Sequence, residues 1–268
     1  MNHVLTDLND GVLTLTLNRP EKLNAYTAQM GVELSEAFER ANSDDNVRSI
    51  IVTGSGRGFC AGADVSGLGN DPAMMGRSGN DGGFAIRIYR CTKPVIAAIN
   101  GPAVGVGITM TLPMDIRLAA EGAKMGFIFA KRGLVPEAGS SFFLPRIVGL
   151  PKALEWVYTA KIIEANEARE AGLVSEVLPP ADLLPRAREI ARTIAQETAP
   201  VAIAITRQLM WRMASATDPM DALLLDAPFN SELARSPDGR EGVSSFVEKR
   251  PAKFSGRPST DMPSNYPW

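Results

Sequence analysis

Residues 4–9 (VLTDLN) and 12–17 (VLTLTL) read as two apolar runs of strand type, the second alternating strictly from Leu13, with Asp10-Gly11 between them. A period of two predicts half-buried strands, and a two-residue Asp-Gly link predicts a tight antiparallel hairpin. The period then changes. Met30, Leu34, Ala37, Phe38 and Ala41 recur at helical spacing behind Thr27, whose hydroxyl is placed to cap the first turn. Residues 47–53 read as a buried strand. A helix at 84–91 leads through Lys93-Pro94 into a strand at 95–99, and short strands are expected at 115–119 and 124–129. From about Ser140 the pattern becomes helical: Pro151 opens one helix, Gly172 closes another, and Pro185, Pro200 and Pro219 punctuate the rest. This rhythm predicts an α/β core over residues 1–200, followed by a C-terminal helical region and tail at 201–268. Residues 65–83, rich in Gly, Asn, Asp and Met, are long for a structureless connection. They are expected to form a flap or binding loop, with Met74-Met75 touching an apolar ligand.

Two glycine-rich segments, residues 54–64 (GSGRGFCAGAD) and 100–107 (NGPAVGVG), each follow an apolar β-branched run. Glycine and alanine at such turns let the main chain approach a ligand and aim its N–H groups inward. Two amides converging on one oxygen would make an oxyanion hole. A dinucleotide fingerprint begun at Gly54 would need glycine at Phe59, and Gly101, Gly105 and Gly107 fail the same pattern. No phosphate loop of the G-x-x-x-x-G-K-[ST] type occurs either, so NAD and ATP are not expected.

A net charge of −2, with no basic block, gives no reason to expect nucleic acid. There is no apolar run of about 18 residues and no charged-then-apolar leader, so a soluble, cytoplasmic protein without a membrane span is expected. Two cysteines, Cys60 and Cys91, fit a reducing compartment. The one histidine is His3, beside a terminus expected to be mobile, which sets aside Ser-His-Asp and Cys-His sites. Two cysteines and one histidine are also too few for a structural zinc site, and no metal is expected. Any catalysis falls to carboxylates, backbone amides, Lys, Tyr or Thr.

Four segments in order resemble the enoyl-CoA hydratase/isomerase (crotonase) family: Arg19-Pro20-Glu21-Lys22-Leu23-Asn24-Ala25, Gly58-Phe59-Cys60-Ala61-Gly62-Ala63-Asp64, Lys93-Pro94-Val95-Ile96-Ala97-Ala98-Ile99-Asn100-Gly101, and Ala171-Gly172-Leu173-Val174. The resemblance runs from the first hairpin to about Phe254. It implies an α/β crotonase fold, a repeated ββα spiral core with a helical C-terminal trimerisation region, assembled as trimers or pairs of trimers. It also implies an acyl-CoA thioester substrate and no cofactor beyond the CoA of that substrate. By position, the oxyanion donors would be the N–H groups of Ala63 and Val106, valine standing where glycine is usual. Lys22, Leu23, Ala25, Arg57, Phe59 and Ala61 fall where the family contacts CoA, with Asp64 beside the first oxyanion residue as a turn and cap residue. Phe246 and Lys249, within 241–249, would reach a neighbour's CoA site. For Lys22 and Arg57, an ordinary solvated charge is an equal reading.

The two glutamates of the family's hydratases align with Thr109 and Phe129, and neither side chain can activate water as a carboxylate pair does. Both are expected to line the substrate pocket, although a threonine satisfied within its own helix is the plainer reading of Thr109. Residues 133–141 instead resemble the catalytic segment of the Δ3,Δ2-enoyl-CoA isomerases, which implies that Glu137 shuttles a proton between C2 and C4. The alternative for Glu137 is a favourable charge near a helix start. Phe127, Phe129, Phe142 and Phe143 would raise its pKa if they face it, or are simply core. Asp115 reads as structural, Ser140 and Ser141 as capping residues, and Cys60 as packing. The expected function is isomerisation of 3-enoyl-CoA through Glu137 and two amides. An atypical enoyl-CoA hydratase and an acyl-CoA binder without turnover stay open, since fold alone does not choose.

Overall fold

The computed structural model describes residues 2–67 and 83–268, so most of the flap expected at 65–83, Met74 and Met75 included, lies outside the described residues. The chain opens with β1 (Val4–Asn9) and β2 (Val12–Leu17), paired antiparallel. Asp10 and Gly11 have φ of 51° and 80°, the left-handed pair that a two-residue hairpin requires. Then follow α1 (Ala28–Ser43), β3 (Ser49–Gly54), α2 (Gly83–Arg90), β4 (Val95–Ile99), β5 (Ala103–Val104), α3 (Val106–Thr109), β6 (Ile116–Ala120) and β7 (Lys124–Gly126). Helices α4 (Ser140–Val148) and α5 (Leu150–Thr159) precede β8 (Ile163–Glu164), α6 (Ala165–Glu170) and β9 (Glu176–Leu178). Four long helices close the chain: α7 (Pro180–Glu197), α8 (Pro200–Met213), α9 (Pro219–Arg235) and α10 (Pro237–Glu248).

The main sheet has the order β1-β2-β3-β4-β6-β9, and every pairing after the hairpin is parallel. A second small sheet has the order β5-β7-β8. Successive residues of a strand point to opposite faces, and both faces of the main sheet are covered. Ile50 and Val52 of β3, with Val95, Ala97 and Ile99 of β4, belong to the main core beneath α1. Their neighbours Ile51, Ile96 and Ala98 pack instead on Leu183, Ala187, Ala191 and Ala195 of α7. A third, smaller core joins Val201, Ile205 and Phe229 with Met262, Tyr266 and Trp268 from the tail.

Asp115 is structural, as expected: it accepts hydrogen bonds from Val95 N–H (2.7 Å), Arg207 Nε (2.8 Å) and Trp211 Nε1 (2.6 Å). Arg207 also donates to the carbonyls of Ile88, Tyr89, Cys91 and Pro113, which fastens α8 to the core.

Several sequence expectations need correction. The strand expected at 47–53 begins at Ser49, because Val47 N–H closes a turn on Asp44 O. The strand expected at 124–129 stops at Gly126, since the Phe127 ring stacks on Trp156 and Phe129 starts a short 3-10 turn. Pro185 lies inside α7 rather than at a break. There the buried row Leu183, Ala187, Ala191 and Ala195 continues past it, and burial outweighs one lost backbone hydrogen bond. His3 is not loose: its Nδ1 meets Thr27 Oγ1 at 2.8 Å, and its carbonyl accepts Asn18 N–H. No helix among the described residues is long and apolar enough to cross a membrane.

Candidate active site

The two glycine segments leave neighbouring parallel strands at the same carboxyl edge, the edge where open α/β sheets hold ligands. Their main chains then lie in direct contact. A Cβ on Gly101 would sit 2.2 Å from Arg57 O, and one on Gly107 would sit 2.0 Å from Cys60 O. Residues bearing a side chain could not approach so closely. Gly62 (φ 111°) and Gly105 (φ 56°) also use backbone regions that favour glycine.

Short bridges fix the direction of the amides. Tyr26 N–H donates to Gly62 O and Asp64 N–H to Tyr26 O, both at 2.8 Å, so Tyr26 brackets Ala63 in a parallel bridge. The bracketed residue's own N–H points to the opposite side. Val106 N–H stands at the first turn of α3, where helical amides lack an intrahelical acceptor. Neither amide meets an acceptor among the described residues.

The loop before α1 is held to the first glycine turn by Asn24, a residue given no role by the motif that contains it. Asn24 is fully buried and, with Leu23, left-handed, at φ of 56° and 50°. Its Oδ1 accepts Arg19 N–H at 2.8 Å, while Nδ2 donates to Ser55 O (2.9 Å) and Gly58 O (2.8 Å). Asparagine is one of the few side chains tolerated in this backbone region, and that was its signal. Arg19 completes the clamp through Ala25 O at 2.6 Å and the Asp64 carboxylate at 2.7 Å. Hydrogen bonds from Ser66 and Arg19 hold the Asp64 carboxyl down at about 2, so its charge belongs to this clamp.

Of the residues expected to meet CoA, Lys22 and Arg57 are exposed, and Leu23, Ala25 and Ala61 are half-buried; Ala61 N–H donates to Leu23 O at 3.0 Å. Phe59 is a correction. Its ring has 0 % exposure in the main core and cannot touch a ligand arriving from solvent. Phe246 and Lys249 are both exposed at the end of α10, in the C-terminal region.

Glu137 is half-buried, and the hydroxyl of Thr109, fully buried in α3, donates to its Oε1. The carboxyl therefore rests against the short helix that begins at Val106. Burial pushes its pKa above the ordinary carboxylate value, and the Thr109 hydrogen bond opposes that shift. Its charge also reaches the first glycine turn. It helps to push the Tyr26 phenol to about 12 and the Cys60 thiol to about 11, burial being the larger cause in both. Cys60 is thus a buried, inert thiol, as expected.

The helix-start alternative does not describe what the Glu137 side chain does. Gly139 is the N-cap of α4 and no side chain caps it, while Ser140 N–H and the Ser140 hydroxyl bond to the Glu137 carbonyl. Ala138 (φ 56°) and Gly139 (φ 72°) are consecutive left-handed residues that turn the chain between Glu137 and the helix. Alanine in this region is strained, a cost that recurs near functional sites. Phe127 stacks on Trp156, and Phe142 and Phe143 form an aromatic cluster with Tyr89 and Trp211, so these rings serve packing. Phe129 is 8 % exposed and offers no polar atom.

Residues 7–257 match the sequence model described as enoyl-CoA hydratase/isomerase. Enoyl-CoA hydratase ACTT3 of Alternaria alternata is 43 % identical over 248 residues, covering 91 % of this chain and 83 % of that protein. The 1,2-epoxyphenylacetyl-CoA isomerase of Escherichia coli K12 is 35 % identical over 267 residues, covering 96 % and 100 %. Among solved structures, enoyl-CoA hydratase from Bacillus anthracis superposes with a TM-score of 0.88 at 31 % identity, covering 95 % of this chain and all of that one.

Proposed function

Because this chain belongs to the enoyl-CoA hydratase/isomerase family, with the crotonase fold of its structural neighbours, we propose that it isomerises 3-enoyl-CoA to 2-enoyl-CoA with Glu137 as the single proton shuttle. One observation carries this reading: a half-buried carboxyl of raised pKa held by Thr109 against the helix that Val106 begins. The two hydratase positions hold a hydroxyl and a phenyl ring. In the proposed reaction the Glu137 carboxylate takes a proton from C2. The electrons of that C–H bond move into the C1–C2 bond, and the thioester oxygen becomes the oxyanion of a dienolate. Ala63 N–H and Val106 N–H donate to that oxygen, where a preorganised amide acts most strongly. The carboxylic acid then returns the proton at C4, leaving the double bond between C2 and C3. One carboxyl whose burial raises its pKa above the ordinary carboxylate value serves both transfers. Lys22 and Arg57, both exposed, are the cations this reading assigns to the CoA phosphates.

The test is a panel of 3-enoyl, 2-enoyl and 3-hydroxyacyl thioesters incubated with pure protein. Conversion of the 3-enoyl compound without mass change is expected. Gain of one water would support the second reading, an atypical hydratase, which the name of the Alternaria relative favours. Tight binding without any conversion would support an acyl-CoA carrier.

A pH profile tests the Thr109 contact. The ionised form of Glu137 is the one that takes a proton, so kcat/KM is expected to rise with pH through a pKa above the usual carboxylate range. Thr109→Val removes the hydrogen bond that favours the anion, and the acid limb should move to higher pH. An unmoved limb would mean that Thr109 does not hold the working carboxylate.

We also propose assembly into trimers or pairs of trimers. Val243, Phe246 and Val247 of α10 are 66 %, 84 % and 73 % exposed, an apolar face suited to burial against a second copy. Light scattering at micromolar concentration should give three or six times the chain mass; a monomer would remove this proposal.

A further inference from the structure

We propose that Tyr26 ends the acyl pocket and limits the length of the acyl chain, with Gly31 as the seat that lets its ring lie there. This rests on the reading of Glu137 and the Ala63 amide as the reacting end of the site. Tyr26 is bridged in register to Ala63, and bridged neighbours send their side chains to the same side. The ring therefore starts beside the residue whose amide faces the thioester. It is half-buried and packs on Phe84 of α2 with centroids 5.6 Å apart and planes at 57°. Its other edge lies over α1. A Cβ on Gly31 would fall 2.0 Å from Tyr26 Oη and 2.9 Å from Cζ, and the three nearest atoms to that missing Cβ all belong to Tyr26.

Gly31 lies inside α1 without a left-handed φ, so no turn requires glycine there. Glycine is a poor helix former, and its presence is explained by the room that it gives the phenol. Wedged between α1 and α2, the ring does not swing aside for a long chain. The Glu137 charge contributes to the raised phenol pKa, which sets the ring and the carboxyl in the same neighbourhood. An acyl chain that leaves the thioester past C4 meets this wall, and compact acyl groups are selected.

Butyryl-, octanoyl- and dodecanoyl-CoA, titrated calorimetrically into the full chain, read this without any turnover. Wild type should bind dodecanoyl-CoA about tenfold or more weakly than butyryl-CoA. Tyr26→Ala should remove or reverse that ratio, and Tyr26→Leu, which keeps an apolar contact with Phe84, should relax it in the same direction. Tyr26→Phe should keep it. Gly31→Ala pushes the ring off α1 toward the site and should make the ratio steeper. Equal binding of the three thioesters by wild type, or a ratio unmoved by both Tyr26→Ala and Tyr26→Leu, would overturn the inference. These titrations remain readable if no thioester is isomerised. Conversely, an unmoved ratio in an enzyme whose turnover depends on Glu137 would remove the wall alone.

Discussion

Glu137→Gln is expected to lower 3-enoyl-CoA isomerisation by roughly 10²-fold or more, the scale of a positioned general base, while CoA thioesters still bind. Glutamine has nearly the same shape and can still accept the Thr109 hydrogen bond, so the loss isolates proton transfer. Stability should move the other way. Because the folded-state pKa of Glu137 lies above its unfolded value, the fold is favoured by the neutral form. That advantage is present below the ordinary carboxylate pKa and is lost as pH rises through the raised one. Above that raised pKa the wild type holds a partly desolvated charge and the variant does not. A melting temperature at or above that of wild type is therefore expected, with activity strongly reduced, the pattern of a residue kept for function. Steady-state kinetics and thermal melts on the same two proteins check both halves. If turnover survived the substitution while Thr109→Val abolished it, the base would have been misassigned.

Gly107→Ala is expected to cost about 3 kcal/mol or more of stability and to remove activity in whatever fraction still folds. Its Cβ would meet Cys60 O at 2.0 Å and the carbonyl carbon at 2.9 Å. These are backbone atoms of the other glycine turn, and that backbone also accepts Val104 N–H at 3.0 Å. It cannot step aside without separating the segments that carry Ala63 and Val106. Gly122→Ala is the control. Unlike Gly107 it has a positive φ, 75°, but nothing lies within 4 Å of its missing Cβ. It should lose only about 1–2 kcal/mol, the cost of placing alanine in the left-handed region. Urea denaturation distinguishes the two, and equal losses would show that close packing of the turns is not what the first glycine serves.

The hairpin was legible from its Asp10-Gly11 link, and α1 from Leu34, Ala37, Phe38 and Ala41 behind the Thr27 cap. The half-buried alternation expected of the hairpin is absent: β1 is exposed after Val4, and β2, paired on both sides, is buried along nearly its whole length. Strands β5, β8 and β9, of two, two and three residues, are too short to show a period. Prolines misled in both directions. Pro200 and Pro219 do open helices, but Pro185 sits within one, because tertiary burial overrides local preference. In the site, the glycine turns were readable from composition, whereas their contact through Gly101 and Gly107 is a property of distant segments. Thr109 was weighed as an ordinary helix residue; that it reaches Glu137, 28 positions away, follows only from the fold. Phe59 was read from its place in a motif, whereas its ring is buried in the main core. Asn24 carried a signal only in its residue type, which suits a left-handed backbone, and Gly31 depends on a neighbouring ring that a linear pattern does not record.

The most direct measurement is a crystal structure of Glu137→Gln with unreacted 3-enoyl-CoA. The thioester oxygen should lie within about 3.5 Å of both Ala63 N and Val106 N, with C2 and C4 both facing the Gln side chain on one side of the acyl plane. A thioester oxygen beyond hydrogen-bond reach of both amides, or a residue 137 side chain that reaches neither carbon, would contradict a single-carboxylate isomerase built on these two turns.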